Sequence, residues 1–489
     1  MSVSRCRPEP ALTMEGTDGS QQAATEAYRR NPYPPMIHNQ NNPDRFATIA
    51  RLAGMTPPDV RTARVLEIGA GNGLNVLSLA QAFPDAQFTG FDLEAEAIAD
   101  GNDLRAAAGL ENVRLEVLDL LDAEGRLEES YDYVIAHGVF AWVPAPVAEA
   151  VLALIGRCLA PQGVAMVSFN ALPGGYLRHA LRDVMMRASK GATSPDEKLA
   201  LAGDALRRIA EPRHSDTPAE KGYREMARLA LKQDTRVMLH DELGDQWHPK
   251  LLADVLAQAG QHGLAFLGDI STNRLGEAFV AEVDQGPATQ QAVEARACDN
   301  DEASFAMFRR LLLVRAEAVP ARVPTPAVME TLFAASGATE PEPDTFATKG
   351  ARVQVANAAL AAGVRRLIEA SPARIAVRDL ALAPDLYEPL LNLFDHDLVS
   401  LHTVDAPFAT VAGERPRTSP LARAMIARGI AHTATLAHRP LQLQASVAAA
   451  VVALDGGDES RFGAIIGEAG VERDAALANI AACALLMRD

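Results

Sequence analysis

Short apolar runs alternate with amphipathic stretches between residues 64 and 170. Five of the runs are apolar almost throughout, which is typical of strands buried on both faces of a sheet. We predict strands at residues 64–69, 87–93, 113–120, 131–138 and 163–170. The stretches between most of them, such as 73–83 and 94–109, have helical spacing. Strands that alternate with helices predict an α/β fold with a doubly wound, Rossmann-like parallel sheet.

The pattern changes after the fifth predicted strand. Helical spacing predominates over about 174–262 and predicts a helical insertion. Apolar runs at 263–270 and 308–316 predict two more strands, which would complete a seven-stranded sheet as an antiparallel pair. The proline-rich segment 318–326 predicts a linker. Beyond it, the pattern over 327–489 predicts a mostly α, winged-helix-like domain.

These boundaries divide the chain into three parts. The polar N-terminus, residues 1–27, is predicted to be disordered. Residues 28–318 are predicted to form the α/β domain together with its helical insertion. For residues 327–489 we predict a regulatory or interaction role, because this segment has no basic stripe of the kind that binds DNA.

Charge and cysteine usage exclude several classes of function. The formal net charge is −17, so nucleic acid is not an expected partner. The sequence contains no run of about 18 apolar residues, so we predict no membrane span. The four cysteines are scattered and form no CxxC pair, which argues against a metal site and favours reduced thiols in a cytoplasmic protein.

The first predicted strand ends in a glycine-rich loop with the pattern ExGxGxG, which begins at Glu67. A dinucleotide fingerprint, GxGxxG, would need a glycine at the position of Leu74. Gly69, Gly71 and Gly73 let the backbone approach a ligand closely, and the helix that follows offers unpaired N–H groups. Glu67 carries a negative charge, which suits a cationic ligand better than a pyrophosphate.

Acidic residues also end the next two predicted strands. Asp92 ends the second strand and Asp119 ends the third. Because ligands of such sheets bind outside the carboxyl ends of the strands, both carboxylates are expected beside the glycine loop. His137 ends the fourth strand at the same edge, where its ring would either touch a ligand or pack in the core.

The glycine loop and the three acids resemble motif I and the adjoining strand ends of class I methyltransferases that use S-adenosyl-L-methionine (SAM). The resemblance implies that the helix after Gly73 faces the methionine part of SAM, that Asp92 accepts the ribose hydroxyls and that Asp119 accepts the adenine amino group. The residues that we assign to cofactor binding are Tyr33, Glu67, Gly69, Gly71, Gly73, Asp92, Leu93, Asp119, Leu120 and His137.

A wider resemblance is to methyltransferases that carry a C-terminal methyltransferase regulatory domain. The segments that carry it are 28–55, 137–144, 168–175, 239–243, 263–270 and 308–314. This group includes bacterial lysine methyltransferases that act on outer-membrane proteins. The resemblance therefore implies methylation of a protein side chain, with lysine as the leading option. Tyr28 and Tyr33, in the segment before the first strand, are candidate lid residues over the cofactor.

A lysine acceptor must lose a proton before its amine attacks the methyl carbon in line with the leaving group. The candidate residues on the acceptor side are His137, Asn170 and His240. The leaving group departs neutral, so no general acid is needed.

Other functions fit the same residues. The acceptor is alternatively a small-molecule biosynthetic intermediate, since segments 168–175 and 239–243 differ from the family pattern. A SAM-binding regulator without catalysis and an NAD oxidoreductase are the remaining alternatives, and the intact acids and glycines disfavour both. The oligomeric state is left open, with a homodimer as one option.

Overall fold

The computed structural model describes residues 34–127, 130–213, 217–271, 274–278, 289–318, 320–457 and 459–488. The predicted disordered N-terminus, together with Tyr28 and Tyr33, lies outside the described residues. The chain divides into two compact units. The first unit contains Pro34 and the described part of residues 181–245, and the second contains residues 35–180 and 246–488.

The second unit contains a seven-stranded sheet. Its strands are β1 (Arg64–Ile68), β2 (Gln87–Asp92), β3 (Val113–Val117), β4 (Tyr131–Ala136), β5 (Leu159–Asn170), β6 (Leu264–Asp269) and β7 (Phe308–Arg315). Their order across the sheet is β3-β2-β1-β4-β5-β7-β6. The first five strands are parallel, and β7 runs antiparallel to both β5 and β6. The predicted Rossmann-like sheet with its antiparallel closing pair is confirmed.

The strands form where they were predicted because both faces of the sheet are covered. Successive side chains of a strand point to opposite faces. In β1, Val65 packs into one hydrophobic core with Val76, whereas Leu66 and Ile68 pack into the other with Val134. All of these residues are at most 1% exposed. Continuous apolar runs therefore correspond to strands that are buried on both sides.

Helices cover the sheet and make up the insertion. Up to residue 304 they are α1 (Pro43–Leu52), α2 (Leu74–Ala82), α3 (Ala95–Ala108), α4 (Ala145–Cys158), α5 (Gly175–Ala188), α6 (Pro195–Ala210), α7 (Pro218–Ala230), α8 (Thr235–Val237), α9 (Leu252–Gln261), α10 (Leu275–Ala278) and α11 (Gln290–Ser304). The predicted helical insertion contains α5 to α9. No helix among the described residues is both long and apolar enough to cross a lipid bilayer.

The first unit has its own small hydrophobic core. Leu181, Met185 and Leu206 pack there with Ala227. The start of α7 is fixed by a capping box, in which Thr217 and the helix residue three positions later satisfy each other's backbone N–H groups. The unit is therefore a set of amphipathic helices that bury one face each.

Residues 320–488 of the second unit form short strands and helices. The helices are α12 (Pro326–Met329), α13 (Ala358–Ala370), α14 (Tyr387–Asp395), α15 (Pro420–Ala427), α16 (Ala445–Ala453), α17 (Ser460–Glu468) and α18 (Arg473–Ala482). The strands are β8 (Phe333–Ala335), β9 (Thr339–Glu342), β10 (Thr345–Ala347), β11 (Arg352–Gln354), β12 (Ile375–Ala376), β13 (Ser400–His402), β14 (Thr433–Ala434) and β15 (Pro440–Leu441). We call this part the C-terminal segment. Its winged-helix-like character and its boundary at residue 327 stay predictions.

The C-terminal segment shares a core with the sheet. Leu332, Leu360 and Leu393 belong to the same buried cluster as Phe46 of α1 and Leu77 of α2. Each of these side chains is at most 4% exposed. Because these apolar side chains are buried together, their burial stabilises the packing of the C-terminal segment against the helices that cover the sheet.

Asp44, in the first turn of α1, links that helix to the C-terminal segment through polar contacts. It is fully buried, and its Oδ1 accepts hydrogen bonds from the backbone N and the Oγ1 of Thr403, both at 2.7 Å. Its Oδ2 accepts from Nδ1 of His402 at 2.8 Å and from Nη1 of Arg374 at 3.2 Å. Burial alone would raise the pKa of Asp44, but the His402 hydrogen bond and the Arg374 charge hold it well below its usual range.

We predict that Asp44→Asn lowers the free energy of unfolding by about 3–5 kcal/mol, because Arg374 keeps a buried charge without its carboxylate partner. Urea unfolding at neutral pH measures the change. Since the folded pKa of Asp44 lies below 3.8, the contribution of Asp44 to stability is present above that pH and is lost as the pH falls below it.

The control is Asp59→Asn. The partner of Asp59, Arg61, is largely exposed, so this substitution should change the free energy of unfolding by less than about 1 kcal/mol. Equal effects of the two substitutions would contradict the assignment.

Candidate functional site

The loop after β1 borders open space at the carboxyl edge of the sheet. Gly71 has a φ of +55°, and a Cβ built on it would meet no atom within 4 Å. Gly73 has a φ of +72° and is the N-cap residue of α2, and a Cβ there would lie 2.5 Å from a methyl carbon of Leu115. Glycine is therefore required for the turn at 73, whereas residue 71 leaves its backbone open to a ligand.

Asp92 ties this loop to the end of β2. Its Oδ2 accepts a hydrogen bond from the backbone N of Gly71 at 2.7 Å, and its Oδ1 accepts from the backbone N of Glu94 at 3.0 Å. Burial raises the pKa of Asp92 above its usual value. The prediction that the carboxylate lies beside the glycine loop agrees with this geometry.

Glu67 lies under the loop and is only 4% exposed. Its Oε1 accepts a hydrogen bond from Nδ2 of Asn75 at 3.0 Å, whereas its buried Oε2 has no hydrogen-bond partner. Burial raises the pKa of Glu67 to about 8. The sequence analysis treats Glu67 as an anion, but in the folded chain desolvation favours the protonated carboxyl until a positive charge approaches.

Apolar side chains are unusually exposed at the ends of β2 and β3. Leu93, Val117 and Leu121 are 42%, 46% and 52% exposed, and Leu120 is half-buried. Asp119 accepts a hydrogen bond from the backbone N of Leu121 at 2.9 Å and so caps a single 3₁₀ turn. An exposed apolar surface of this kind beside polar groups suits a flat ring with a polar edge.

The end of β4 carries one of two histidines whose rings are in contact and tilted by 38° to one another. The rings of His137 and His38 lie with their centroids 3.9 Å apart, and Phe308 meets His137 edge-on at 6.2 Å. Burial lowers the pKa of His38 to about 4 and that of His137 well below its usual value, and the positive charge of Arg310 acts in the same direction on both. Both rings are therefore neutral at physiological pH. The buried Nδ1 of His137 has no hydrogen-bond partner.

The sequence analysis missed His38. It placed the ligand contacts of the segment before β1 on Tyr28 and Tyr33, which lie outside the described residues. The signal that was available is the histidine itself, five residues after Tyr33 in the same proline- and asparagine-rich stretch. Its backbone N donates to Oδ1 of Asn75 at 3.2 Å, which fixes the segment against the start of α2.

Asn170, at the end of β5, faces an aromatic cluster. Its Oδ1 accepts a hydrogen bond from Nη1 of Arg178 at 2.8 Å, whereas its Nδ2 is buried without a hydrogen-bond partner. The guanidinium of Arg178 lies over the rings of Trp142 and Trp247, at 5.5 Å and 4.7 Å from the ring centres. His240 belongs to the first compact unit, in a π-helical turn at Met238–Glu242, and its role stays a prediction.

These residues form two neighbouring regions along the carboxyl edge of the sheet. The ends of β1 to β3 provide an open glycine loop, buried carboxyl groups and exposed apolar side chains. The ends of β4 and β5 provide neutral imidazoles and an amide with unused hydrogen-bonding capacity. Such an edge can hold a nucleoside with a charged amino-acid tail beside a second, polar reactant.

Two family models match the chain. The model described as a methyltransferase domain matches residues 66–165, and the model described as a predicted methyltransferase regulatory domain matches residues 234–315. Among curated proteins, the uncharacterized protein RP028 of Rickettsia prowazekii is 35% identical over 223 residues, which are 45% of this chain and 88% of that protein. The uncharacterized protein RP789 of the same organism is 30% identical over 269 residues, which are 54% of this chain and 48% of that protein.

The chain belongs to the SAM-dependent methyltransferases that carry a regulatory domain. SAM is the methyl donor of the family. The regulatory-domain match lies at residues 234–315, upstream of the C-terminal segment for which the sequence predicted a regulatory role. The function of the C-terminal segment of this methyltransferase therefore stays a separate question.

The fold of this methyltransferase is also found in a solved structure. PKMT2 from Rickettsia typhi matches with a TM-score of 0.78 at 22% sequence identity, over 93% of this chain and all of that chain. A second structure of the same protein is a complex with AdoHcy. At this level of identity the match shows a common fold, which includes the C-terminal segment.

We predict that SAM binding by the methyltransferase releases a proton near neutral pH, because a cationic ligand favours the ionised form of Glu67. The affinity should rise about fiftyfold as the pH increases from about 6 to about 8, because Glu67 with a pKa of about 8 is almost fully protonated at the lower pH, and it should level off above the pKa of the free carboxyl. Isothermal titration calorimetry in two buffers of different ionisation enthalpy measures both quantities.

In the Glu67→Gln variant the pH dependence should disappear, since glutamine does not titrate. The control Glu96→Gln, in the exposed first turn of α3, should keep it. A wild-type protein that binds SAM with the same affinity across this range, and without proton release, would show that Glu67 does not sense the ligand.

Proposed function

We propose that this methyltransferase transfers the methyl group of SAM to the side-chain amine of a lysine in a protein. The observation that carries this proposal is His137, whose neutral imidazole has an unpartnered Nδ1 at the end of β4. A neutral hydrogen-bond acceptor beside the methyl donor suits an amine, which must be held by an N–H so that its lone pair faces the methyl carbon.

The residues that would hold SAM are those of the first region. The N-terminus of α2 and the open backbone at Gly71 would face the methionine portion, since a helix N-terminus favours a carboxylate. Glu67 would face the positive charges of the ligand through its unpartnered Oε2. Asp92 keeps lone pairs for the ribose hydroxyls, and Leu93 and Leu120 would flank the adenine with Asp119 at its polar edge.

The binding of AdoHcy by PKMT2 supports this arrangement. AdoHcy is the product that SAM leaves after methyl transfer, so a protein of the same fold holds the same nucleoside and amino-acid portions. The fold match covers the whole of that chain.

SAM, when bound, supplies a methyl group on a sulfonium, whose sulfur leaves without charge. The chain's own residues then need to align and desolvate the acceptor. Burial and the positive charge of Arg310 lower the pKa of nearby bases, so a lysine that enters this region binds as the neutral amine. The Nδ1 of His137 would accept one of its N–H groups, and the Nδ2 of Asn170 would donate to a carbonyl of the acceptor chain.

A small carboxylic acid is the second candidate acceptor. Two positive side chains, Arg178 and Lys250, lie at the end of β5. Arg178 bonds to Asn170, and the Nζ of Lys250 lies over the ring of Phe140 at 5.5 Å. Cations in this position suit a carboxylate, which needs no base before it accepts a methyl group.

We place the reaction in the cytoplasm. Cys158, Cys298 and Cys483 are free thiols, and burial raises the pKa of each, which is expected for unreactive cysteines in a reducing compartment. The homodimer stays a prediction.

We predict that Asp92→Ala weakens SAM binding about 100-fold, because hydrogen bonds to a charged acceptor are among the stronger ones and two ribose hydroxyls lose theirs. Calorimetry with SAM and with NAD measures the effect and the ligand choice. The control Asp85→Ala, in the exposed turn before β2, should bind SAM like the wild type. Binding of NAD in place of SAM, or an unchanged affinity in Asp92→Ala, would overturn the cofactor assignment.

The acceptor is identified by incubating the enzyme with radiolabelled SAM and either protein extract or small-molecule extract. We predict label in the protein fraction, and mass spectrometry should place the added methyl groups on lysine. The rate should rise with pH, with an apparent pKa below the value of about 10.4 for lysine in water, because the site disfavours the ammonium form. Label that appears only in the small-molecule fraction would favour the carboxylic acid.

A further inference from the structure

Helix α2 carries a polar stripe that is fully covered. Asn75, Ser78 and Gln81 follow one another at intervals of three and so lie on one face of the helix. They are 4%, 0% and 6% exposed. Buried polar side chains need hydrogen-bond partners, so whatever covers this stripe must supply them.

The C-terminal segment supplies partners for two of the three residues. The Oγ of Ser419 donates to Oε1 of Gln81, and Nε2 of Gln81 donates to the backbone O of Thr435 at 3.4 Å. The Nδ1 of His438 lies 2.9 Å from the Oγ of Ser78. Ser419 caps α15, and His438 lies in the turn between β14 and β15. The helix that begins at the glycine loop is thus bonded directly to the C-terminal segment.

His438 uses both of its ring nitrogens. Its Nε2 lies 3.1 Å from the backbone O of His38. A carbonyl oxygen only accepts, so Nε2 carries the hydrogen and donates. Burial lowers the pKa of His438 to about 3, so the ring is neutral and its Nδ1 accepts from the Ser78 hydroxyl. The tautomer is therefore fixed by the two contacts.

His38 is held from two sides. Its carbonyl accepts from His438 and from the backbone N of Asn41 at 2.8 Å, and its backbone N donates to Oδ1 of Asn75, whose Nδ2 in turn donates to Glu67. Between these two backbone bonds, the ring of His38 contacts the ring of His137. One peptide segment thus connects the C-terminal segment both to the buried carboxyl under the glycine loop and to the imidazole at the end of β4.

We propose that His438 is a positioning residue for methyl transfer, and that the C-terminal segment completes the active site by holding the carbonyl of His38. The part of this proposal that concerns His137 rests on the proposed function. The predicted effect of His438 on SAM binding does not depend on which molecule accepts the methyl group. The C-terminal segment is then a structural part of the catalytic unit as well as a possible site of regulation.

The backbone at His438 is strained for a histidine. Its φ is +55°, in the left-handed region that favours glycine and asparagine. Asparagine at this position would relieve that strain, so the backbone preference and the ring contacts of His438 favour different residues.

Two substitutions separate the contacts of the ring. The amide of glutamine reaches about as far as Nε2, and the amide of asparagine about as far as Nδ1. His438→Gln therefore keeps the donor to His38 and loses the contact with Ser78, whereas His438→Asn keeps the contact with Ser78 and loses the donor to His38. The control is His432→Asn, on an exposed histidine of the same segment.

We expect His438→Asn to weaken SAM binding about fivefold and to lower kcat by a similar factor, because the His38 carbonyl keeps only the backbone N–H of Asn41 and loses its bond to the C-terminal segment. His438→Gln should lower the free energy of unfolding, because the buried Ser78 hydroxyl loses its acceptor, but its dissociation constant for SAM should stay within about twofold of the wild type, since Ser78 does not bond to the His38 segment. His432→Asn should change neither quantity. Calorimetry gives the dissociation constant and the stoichiometry separately. Irreversibly unfolded protein lowers the stoichiometry and leaves the dissociation constant of the remaining protein unchanged. Reversible unfolding raises the apparent dissociation constant, so circular dichroism must show that each variant is fully folded at the temperature of the titration.

A purely structural role for His438 predicts the opposite order, since asparagine suits the left-handed backbone better than glutamine. The proposal is overturned if His438→Asn binds SAM and turns over like the wild type, or if His438→Gln is impaired at least as much. If the wild type itself does not bind SAM, this result contradicts both the proposed function and the positioning role. If the wild type binds SAM but methylates only a small molecule, the positioning role is still tested by the same ranking.

Discussion

The burial of helix α2 is the constraint on which the site depends. All nine of its residues are buried, so the helix has no solvent-facing side on which polar groups could be satisfied by water. The unpaired N–H groups at its N-terminus can therefore bond only to the glycine loop and to the ligand of that loop. Its polar stripe is satisfied by other parts of the chain, which are Glu67 of β1, the segment before β1 and the C-terminal segment. Cofactor binding and the packing of the C-terminal segment thus share one element.

Burial also sets the charge states along the edge of the sheet. It raises the pKa of Glu67 to about 8 and lowers those of His38 and His137, so each group tends towards its neutral form in the absence of ligand. The proposed contact of Glu67 with a cationic donor would reverse this tendency at Glu67.

Sequence analysis succeeded where the information is local. The strands follow from runs of apolar residues, and the position of Asp92 beside the glycine loop follows from the rule that parallel strand ends converge. The roles of Glu67 and Asp92 in cofactor binding stay predictions. The protonation of Glu67 did not follow, because it depends on how completely the fold buries that carboxyl. The partnership of His38 with His438 did not follow either, because the two residues are 400 positions apart and no pattern in the sequence relates them. The cap that Asp119 forms on the turn after β3 is local, whereas its assignment to the adenine amino group stays a prediction.

The most direct test of the central claim is a crystal structure of the full chain with AdoHcy. The account predicts the amino-acid portion of the ligand against residues 69–73, its ribose on Asp92, and the carbonyl of His38 still bonded to His438 beside it. A ligand bound elsewhere, or one held in place while the C-terminal segment has separated from α2, would contradict the account.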